Sequence, residues 1–147
     1  MRVSKTRPKR KKTARIRPEP GTVKVFTAGC FNRIHKAHVK MLRAARALGD
    51  ELVVVLSNDA HNRKHNAVPA RLRRRWMKQL GIADKIVIGR PNSFAASLRQ
   101  ERPDILVLGY DQRLPDSETE AAVRELGIKV VVMPWYPGKE ESCGLRS

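Results

Sequence analysis

The sequence has few cysteines, few aromatic residues and no long apolar run. Its two cysteines, Cys30 and Cys143, lie too far apart to indicate a disulfide framework, and no cysteine and histidine cluster has the spacing of a structural zinc site. No apolar segment approaches the roughly 18 residues that span a bilayer, and nothing resembles a secretory signal. These absences exclude a disulfide-stapled secreted domain and a membrane protein, and they predict a cytoplasmic location.

Acidic residues are also scarce. The 147 residues contain 31 lysines and arginines against 14 acids, a net charge of +17 that attracts polyanions such as nucleotides, phosphates and nucleic acid. Residues 1–20 carry a net charge of +8, which leaves +9 for residues 21–147. Because the first segment has almost no large apolar side chains, we predict a disordered basic tail over 1–20 and one domain over 21–147.

From residue 23 onward, short β-branched segments alternate with longer segments of helical spacing. The short segments are almost continuously apolar, as strands buried on both faces must be, and three of the longer segments are followed by glycine. Strands are predicted at 23–27, 52–57, 85–88, 105–108 and 129–133, and helices at 38–48, 69–80, 93–99 and 117–126. The alternation predicts an α/β domain, with a Rossmann-like five-stranded parallel sheet and helices on both faces.

Ligands of such sheets bind in the loops that follow the carboxyl ends of the strands. The loop after the first strand contains Gly29, then His35 and His38 at the start of a helix. Glycine lets the backbone approach a ligand closely, and the free N–H groups of a helix start favour an anion. Two histidines three residues apart can face one ligand, so this loop predicts a phosphate site. A zinc site is disfavoured, since the glutamate base and third ligand of hydrolytic zinc sites are missing.

Three segments resemble a known family. Residues 29–38 read GCFNRIHKAH, residues 69–80 read PARLRRRWMKQL, and residues 102–112 read RPDILVLGYDQ. The first is similar to the G-T-F-D-x-x-H-x-G-H signature of the small nucleotidyltransferases, which include cytidylyltransferases and phosphopantetheine adenylyltransferase. The third is most similar to archaeal FAD synthases. The resemblance covers almost all of residues 23–147 and implies the nucleotidylyl transferase fold.

The resemblance implies transfer of a nucleoside monophosphate from a nucleoside triphosphate to a phosphorylated acceptor, with release of pyrophosphate. Residues 109–112 favour ATP as donor and FMN as acceptor, and CTP with glycerol 3-phosphate or a similar alcohol phosphate is the alternative. Mg²⁺ or another divalent cation would bridge the phosphate oxygens. Relatives often form homodimers. A hypothesis from another class is a nucleic-acid-binding protein that uses the basic tail on the same fold.

The resemblance also implies roles for individual residues. His35 and His38 would contact the triphosphate and stabilise charge at the α-phosphorus, and Lys64 matches a mobile phosphate-binding lysine. Arg73 matches a substrate-binding arginine of the second helix, with Arg74 as the alternative. The other predicted nucleotide-binding residues are Ala28, Gly29, Cys30, Phe31, Asp111, Gln112, Ser142 and Arg146.

Several positions depart from the family pattern. Cys30 replaces threonine, Asn32 replaces aspartate, and Ala37 replaces the glycine between the histidines. Alanine is small enough to preserve a close backbone approach, whereas Asn32 keeps its hydrogen bonds but loses a negative charge. The C-terminal residues 141–147 only loosely resemble the family's phosphate-binding I-S-S/T-T motif. These departures leave open an enzyme of reduced or altered activity.

Overall fold

The computed structural model describes residues 21–90 and 93–145. The predicted basic tail and Arg146 lie outside the described residues, so the division of the chain at residue 20 stays a prediction. No helix within the described ranges combines the length and the apolar character needed to cross a membrane.

Five strands and four α-helices alternate along the described residues. They are β1 (Lys24–Gly29), α1 (Lys36–Arg46), β2 (Glu51–Leu56), α2 (Ala70–Leu80), β3 (Lys85–Ile88), α3 (Phe94–Glu101), β4 (Ile105–Leu108), α4 (Ser117–Leu126) and β5 (Lys129–Val132). All neighbouring strands pair in parallel, in the order β3-β2-β1-β4-β5. The predicted α/β class and five-stranded parallel sheet are confirmed.

Both faces of the sheet are covered by helices. The face that packs against α1 and α2 has a core that includes Val25, Leu42, Leu52, Val54 and Met77. The face that packs against α3 and α4 has a core that includes Phe26, Val53, Leu98, Leu106 and Ala122. Successive residues of a strand point to opposite faces, so chain neighbours such as Val25 and Phe26 enter different cores. Nearly every position of a central strand must therefore be apolar, which is the pattern that predicted these strands.

Two element boundaries around the first loop differ from the prediction. Helix α1 begins at Lys36 rather than at residue 38, because His35 occupies its N-cap position. Strand β1 continues to Gly29, two residues beyond its predicted end. These shifts place both histidines of the first loop in or beside the first turn of α1.

The strand order reverses between β1 and β4. The chain runs from β1 outward to β3, then returns to the other side of β1 to form β4 and β5. The loops that follow β1 and β4 therefore leave the sheet toward opposite faces, and a crevice opens between them at the carboxyl ends of the strands.

Candidate active site

A cavity of about 510 Å³ occupies this crevice. Such a volume suits a small-molecule ligand. Loops that follow β1, β2, β4 and β5 line it. Nine of the twelve predicted site residues lie together in its wall, and they are Ala28, Gly29, Cys30, Phe31, His35, His38, Lys64, Asp111 and Gln112.

His35 and His38 fix each other's ring orientation. Nδ1 of His35 accepts a hydrogen bond from the backbone N–H of His38, and Nδ1 of His38 accepts one from the backbone N–H of His35, both at 3.3 Å. The two rings stack with centroids 3.7 Å apart and 12° between their planes. Because both Nδ1 atoms are acceptors, the proton of each neutral ring lies on Nε2. The pair therefore offers two Nε2–H groups as donors to a ligand.

The environment of the two rings favours their neutral forms. Burial is the largest of the effects that lower the pKa of His38 to about 4. The other effects come from His35, which repels a second proton when it is itself protonated, and from the positive charges of Arg33, Lys139 and Lys64. Burial, followed by Arg33 and Lys139, also lowers the pKa of His35. At neutral pH the histidines are hydrogen-bond donors in a cationic environment rather than cations themselves.

Cationic side chains outnumber carboxylates in the cavity wall. Arg33, Lys64 and Lys139 line it, whereas Asp111 is the sole acidic residue among the lining residues that the structure describes. Sequence reasoning missed Arg33, although it lies within the histidine motif. It also missed Lys139, which reaches the cavity because the segment after β5 folds back, with Nη1 of Arg33 donating to the Lys139 carbonyl at 3.0 Å. This charge distribution suits a polyanion such as a triphosphate.

The ring of Phe31 packs against the histidine pair through His38. Its backbone adopts a left-handed conformation, with φ of 55°, and its ring is 6% exposed and lies 4.9 Å from the His38 ring. A Cβ atom at position 29 would approach the Phe31 ring to 2.9 Å. The Phe31 ring therefore leaves no room for a side chain at position 29, and this geometry requires glycine there.

Gln112 joins the two loops that border the crevice. Its Nε2 donates to the carbonyl of Ala28 at 3.3 Å, and its Oε1 accepts from the backbone N–H of Gly109. Beside it, Tyr110 and Trp135 line the cavity and are 55% and 61% exposed. Sequence reasoning missed these two aromatic residues, although each follows the end of a strand. Exposed aromatic rings at a cavity wall can stack on a planar ligand.

Arg73 is not among the residues that line the cavity, so the structure does not bring it together with the other predicted nucleotide ligands. Its side chain is fully buried, with Nε donating to the Val68 carbonyl at 2.7 Å and Nη1 to the Cys30 carbonyl at 2.9 Å. Nη2 lies 2.9 Å from Oδ1 of Asp59. Since its donors are directed to protein oxygens, Arg73 ties the first loop to both ends of the loop before α2. The alternative, Arg74, is exposed.

Ser142 also lies outside the cavity wall. Its Oγ accepts a hydrogen bond from the Gly144 N–H at 3.2 Å, and its backbone forms an antiparallel bridge with His35. The neighbouring Glu141 carbonyl accepts the N–H of Lys36 at 2.9 Å. The C-terminal segment therefore uses backbone groups to cover the start of α1, and the Ser142 hydroxyl stabilises its own turn.

Together, the fold and the cavity define a class of protein, a Rossmann-like α/β domain with paired neutral imidazoles and several cations at the point where the strand order reverses, which is where such domains bind their ligands. The chain belongs to the cytidylyltransferase-like family, whose sequence profile matches residues 26–147. The predicted resemblance is thereby confirmed, and the protein is a nucleotidyltransferase.

Several named proteins are similar to this chain in sequence or in structure. The chain is 41% identical over 114 residues to an FAD synthase of Aciduliprofundum boonei, covering 76% of each protein. It is 38% identical over 123 residues to an FAD synthase of Methanosarcina acetivorans, covering 80% of this chain and 82% of that one. Among solved structures, it is similar to a lipopolysaccharide core biosynthesis protein from Thermoplasma volcanium, with a TM-score of 0.70 and 30% identity over 79% of this chain and 99% of that chain. A pantoate-beta-alanine ligase from Francisella tularensis is 13% identical, with a TM-score of 0.52. The match covers 80% of this chain and 60% of the ligase chain, and it shows similarity of fold alone.

We expect Arg73→Ala to lower the free energy of unfolding by about 3 kcal/mol, because it leaves the Cys30 and Val68 carbonyls without their donor and opens a void. Arg74→Ala, one residue along the same helix, is the matched control and should change it by less than about 0.5 kcal/mol. Urea unfolding of the two variants measures both values. If Arg73→Ala leaves stability unchanged but weakens nucleotide binding, the result contradicts this structural role and favours the predicted contact with the nucleotide.

The titration of His38 should contribute to the pH dependence of stability. Its folded-state pKa of about 4 lies below the ordinary 6.5, so its contribution is complete above pH 6.5 and is lost as the pH falls toward 4. Between pH 7 and pH 4.5, the wild type should lose about 1 to 2 kcal/mol more unfolding free energy than His38→Gln. Urea unfolding at the two pH values measures this difference, and equal losses would contradict it.

Proposed function

We propose that this protein transfers the adenylyl group of ATP to FMN, with release of pyrophosphate and formation of FAD. The observation that carries the proposal is the stacked pair of His35 and His38, whose Nε2–H donors share one cavity with three cationic side chains. Similarity to the FAD synthases of two archaea supports FMN as the acceptor and ATP as the donor. Since these relatives are named FAD synthases, cytidylyl transfer from CTP is the less favoured alternative.

The proposed reaction is a displacement at the α-phosphorus of ATP. A phosphate oxygen of FMN forms the new bond to this phosphorus, and the bond to the oxygen that bridges to the β-phosphate breaks. The FMN phosphate is already anionic, so its attack requires no strong general base. Orientation of the two substrates and neutralisation of phosphate charge supply most of the rate acceleration.

The side chains divide this work by their chemistry. The Nε2–H groups of His35 and His38 donate to the oxygens of the α-phosphate, where negative charge increases in the transition state. Lys64, on the loop between β2 and α2, neutralises the departing pyrophosphate. Arg33 and Lys139 supply further positive charge on the same wall. A neutral donor suits the reacting phosphate because it can share a hydrogen bond without losing its proton.

Mg²⁺ enters this proposal as part of the ATP complex. Within residues 21–90 and 93–145, no three side chains among His, Cys, Asp and Glu are arranged to hold a metal ion. The residues present therefore fit an ion held mainly by phosphate oxygens, with Asp111 able to bind its coordinated waters. When bound, the ion reduces the repulsion between the phosphates.

A planar ring of one substrate stacks on Tyr110 and Trp135 in this proposal. Both side chains are more than half exposed although they line the cavity, so their apolar faces are accessible to a ligand. The adenine ring of ATP and the isoalloxazine ring of FMN share this chemistry.

Homodimer formation and nucleic-acid binding through residues 1–20 stay predictions. The second concerns residues outside the described ranges.

We expect pyrophosphate release with ATP and FMN to exceed that with CTP and glycerol 3-phosphate.

His35→Ala and His38→Ala should each lower kcat by about 100-fold to 1,000-fold, because each removes a donor to the reacting phosphate. The loss of one capping hydrogen bond should cost only about 1 kcal/mol of stability. His65→Ala is the control, since His65 is exposed and lies outside the cavity wall. Full activity of both histidine variants, or no product from ATP and FMN, would overturn the proposal.

Trp135→Ala should raise the KM of the substrate whose ring it contacts about 10-fold, with a smaller change in kcat, because stacking contributes to ground-state binding. Separate titrations of ATP and FMN identify which ring is bound. Trp135→Phe keeps an aromatic face and should restore most of the affinity. Unchanged KM values for both substrates would contradict the stacking assignment.

A further inference from the structure

Asn32, which lines the cavity, forms a closed pair of amide hydrogen bonds with Asn62. Nδ2 of Asn32 donates to Oδ1 of Asn62 at 2.9 Å, and Nδ2 of Asn62 donates to Oδ1 of Asn32 at 2.7 Å. The two residues are 8% and 6% exposed. Oδ1 of Asn32 also accepts the backbone N–H of Val68 at 2.9 Å. The pair thus joins the loop after β1 to two points of the loop before α2.

Lys64 lies between these two attachment points. Residues 63–67 are exposed, and the chain turns there through a hydrogen bond from the Ala67 N–H to the Lys64 carbonyl at 3.0 Å. The Lys64 side chain nevertheless lines the cavity. Because the exposed turn has little packing of its own, its position depends on the contacts at its two ends, the buried Asn62 and the half-buried Val68.

Two amides satisfy this arrangement, and a carboxylate at position 32 does not. An aspartate there would direct an oxygen, in place of Nδ2, at Oδ1 of Asn62, so two acceptors would meet without a proton between them. A buried acceptor left without a donor is destabilising. The asparagine that departs from the family signature is therefore matched to Asn62.

We propose that Asn62 is a positioning residue that, through Asn32, holds Lys64 against the phosphates in the cavity. The role of Lys64 rests on the proposed function. Without the amide pair, the exposed turn samples more positions, and Lys64 meets the departing pyrophosphate in fewer of them. The loss is one of orientation, so kcat falls more than substrate affinity.

A double-mutant cycle tests this coupling. Asn62→Ala should lower kcat/KM for ATP and FMN by about 10-fold to 100-fold, mainly through kcat. In a Lys64→Ala background, the same change should cost less than about 3-fold, because no ammonium group remains to be positioned. His65→Ala, in the same turn, should leave kcat/KM unchanged. Losses that multiply independently in the double variant would overturn the proposal.

Hydrogen exchange tests the same idea without activity. Asn62→Ala should speed amide exchange at Ala67 and Val68, whose N–H groups donate to the Lys64 carbonyl and to Oδ1 of Asn32, by about 10-fold or more, while the amides of β1 and β2 keep their protection. Unchanged exchange in the turn would refute the positioning role. Asn62→Asp keeps the side-chain shape but removes the Nδ2 donor, and it replaces Asn62→Ala in both measurements if that variant does not fold. If the wild-type protein does not adenylylate FMN but exchange in the Asn62→Ala variant is faster, the proposed function is rejected. The amide pair would then still be established as the support of the turn.

Discussion

The reciprocal hydrogen bonds between His35 and His38 determine which donors the cavity can offer to a ligand. Each ring occupies a backbone N–H at the start of α1, so capping of the helix and orientation of the donors are the same interaction. A serine or aspartate cap would satisfy the helix equally well but would leave no Nε2–H groups directed at a ligand. Phe31 fixes the pair through its ring contact with His38, and Gly29 leaves room for that ring. The local sequence is therefore constrained by the stacked pair.

The loops around this pair are held by side chains that bind backbone carbonyls and amides. Gln112 ties the loop after β4 to the end of β1, and the Asn32–Asn62 pair ties the first loop to the turn that carries Lys64. Arg73 anchors the same two loops through a buried guanidinium. A buried charge is costly unless its donors are satisfied, and here they meet protein oxygens. Loops held in this way can present exposed cations to a ligand.

Much of the fold and part of the site could be predicted from sequence, for local reasons. Continuous apolar segments and terminal glycines located the strands and helices, and the histidine spacing located the pair that lines the cavity. The position of Arg73 also had a local signal, because Ala70, Arg73 and Met77 lie on one helical face and all three are buried. Lys139 had no such signal, since it reaches the cavity only because the chain folds back over α1. The partner of Asn32 lies 30 residues away, so its amide pair required the tertiary structure.

The low pKa of His38 decides between two chemical roles for the imidazole. With a pKa of about 4, roughly one molecule in a thousand carries the imidazolium at pH 7, so His38 is poorly suited to act as a general acid. A bound triphosphate would pair with the cations that lower this pKa and would raise it. Burial, the largest cause, would persist with a ligand in the cavity. In the proposed reaction the imidazole of His38 therefore serves as a hydrogen-bond donor, which suits a displacement whose nucleophile and leaving group are both stable as anions.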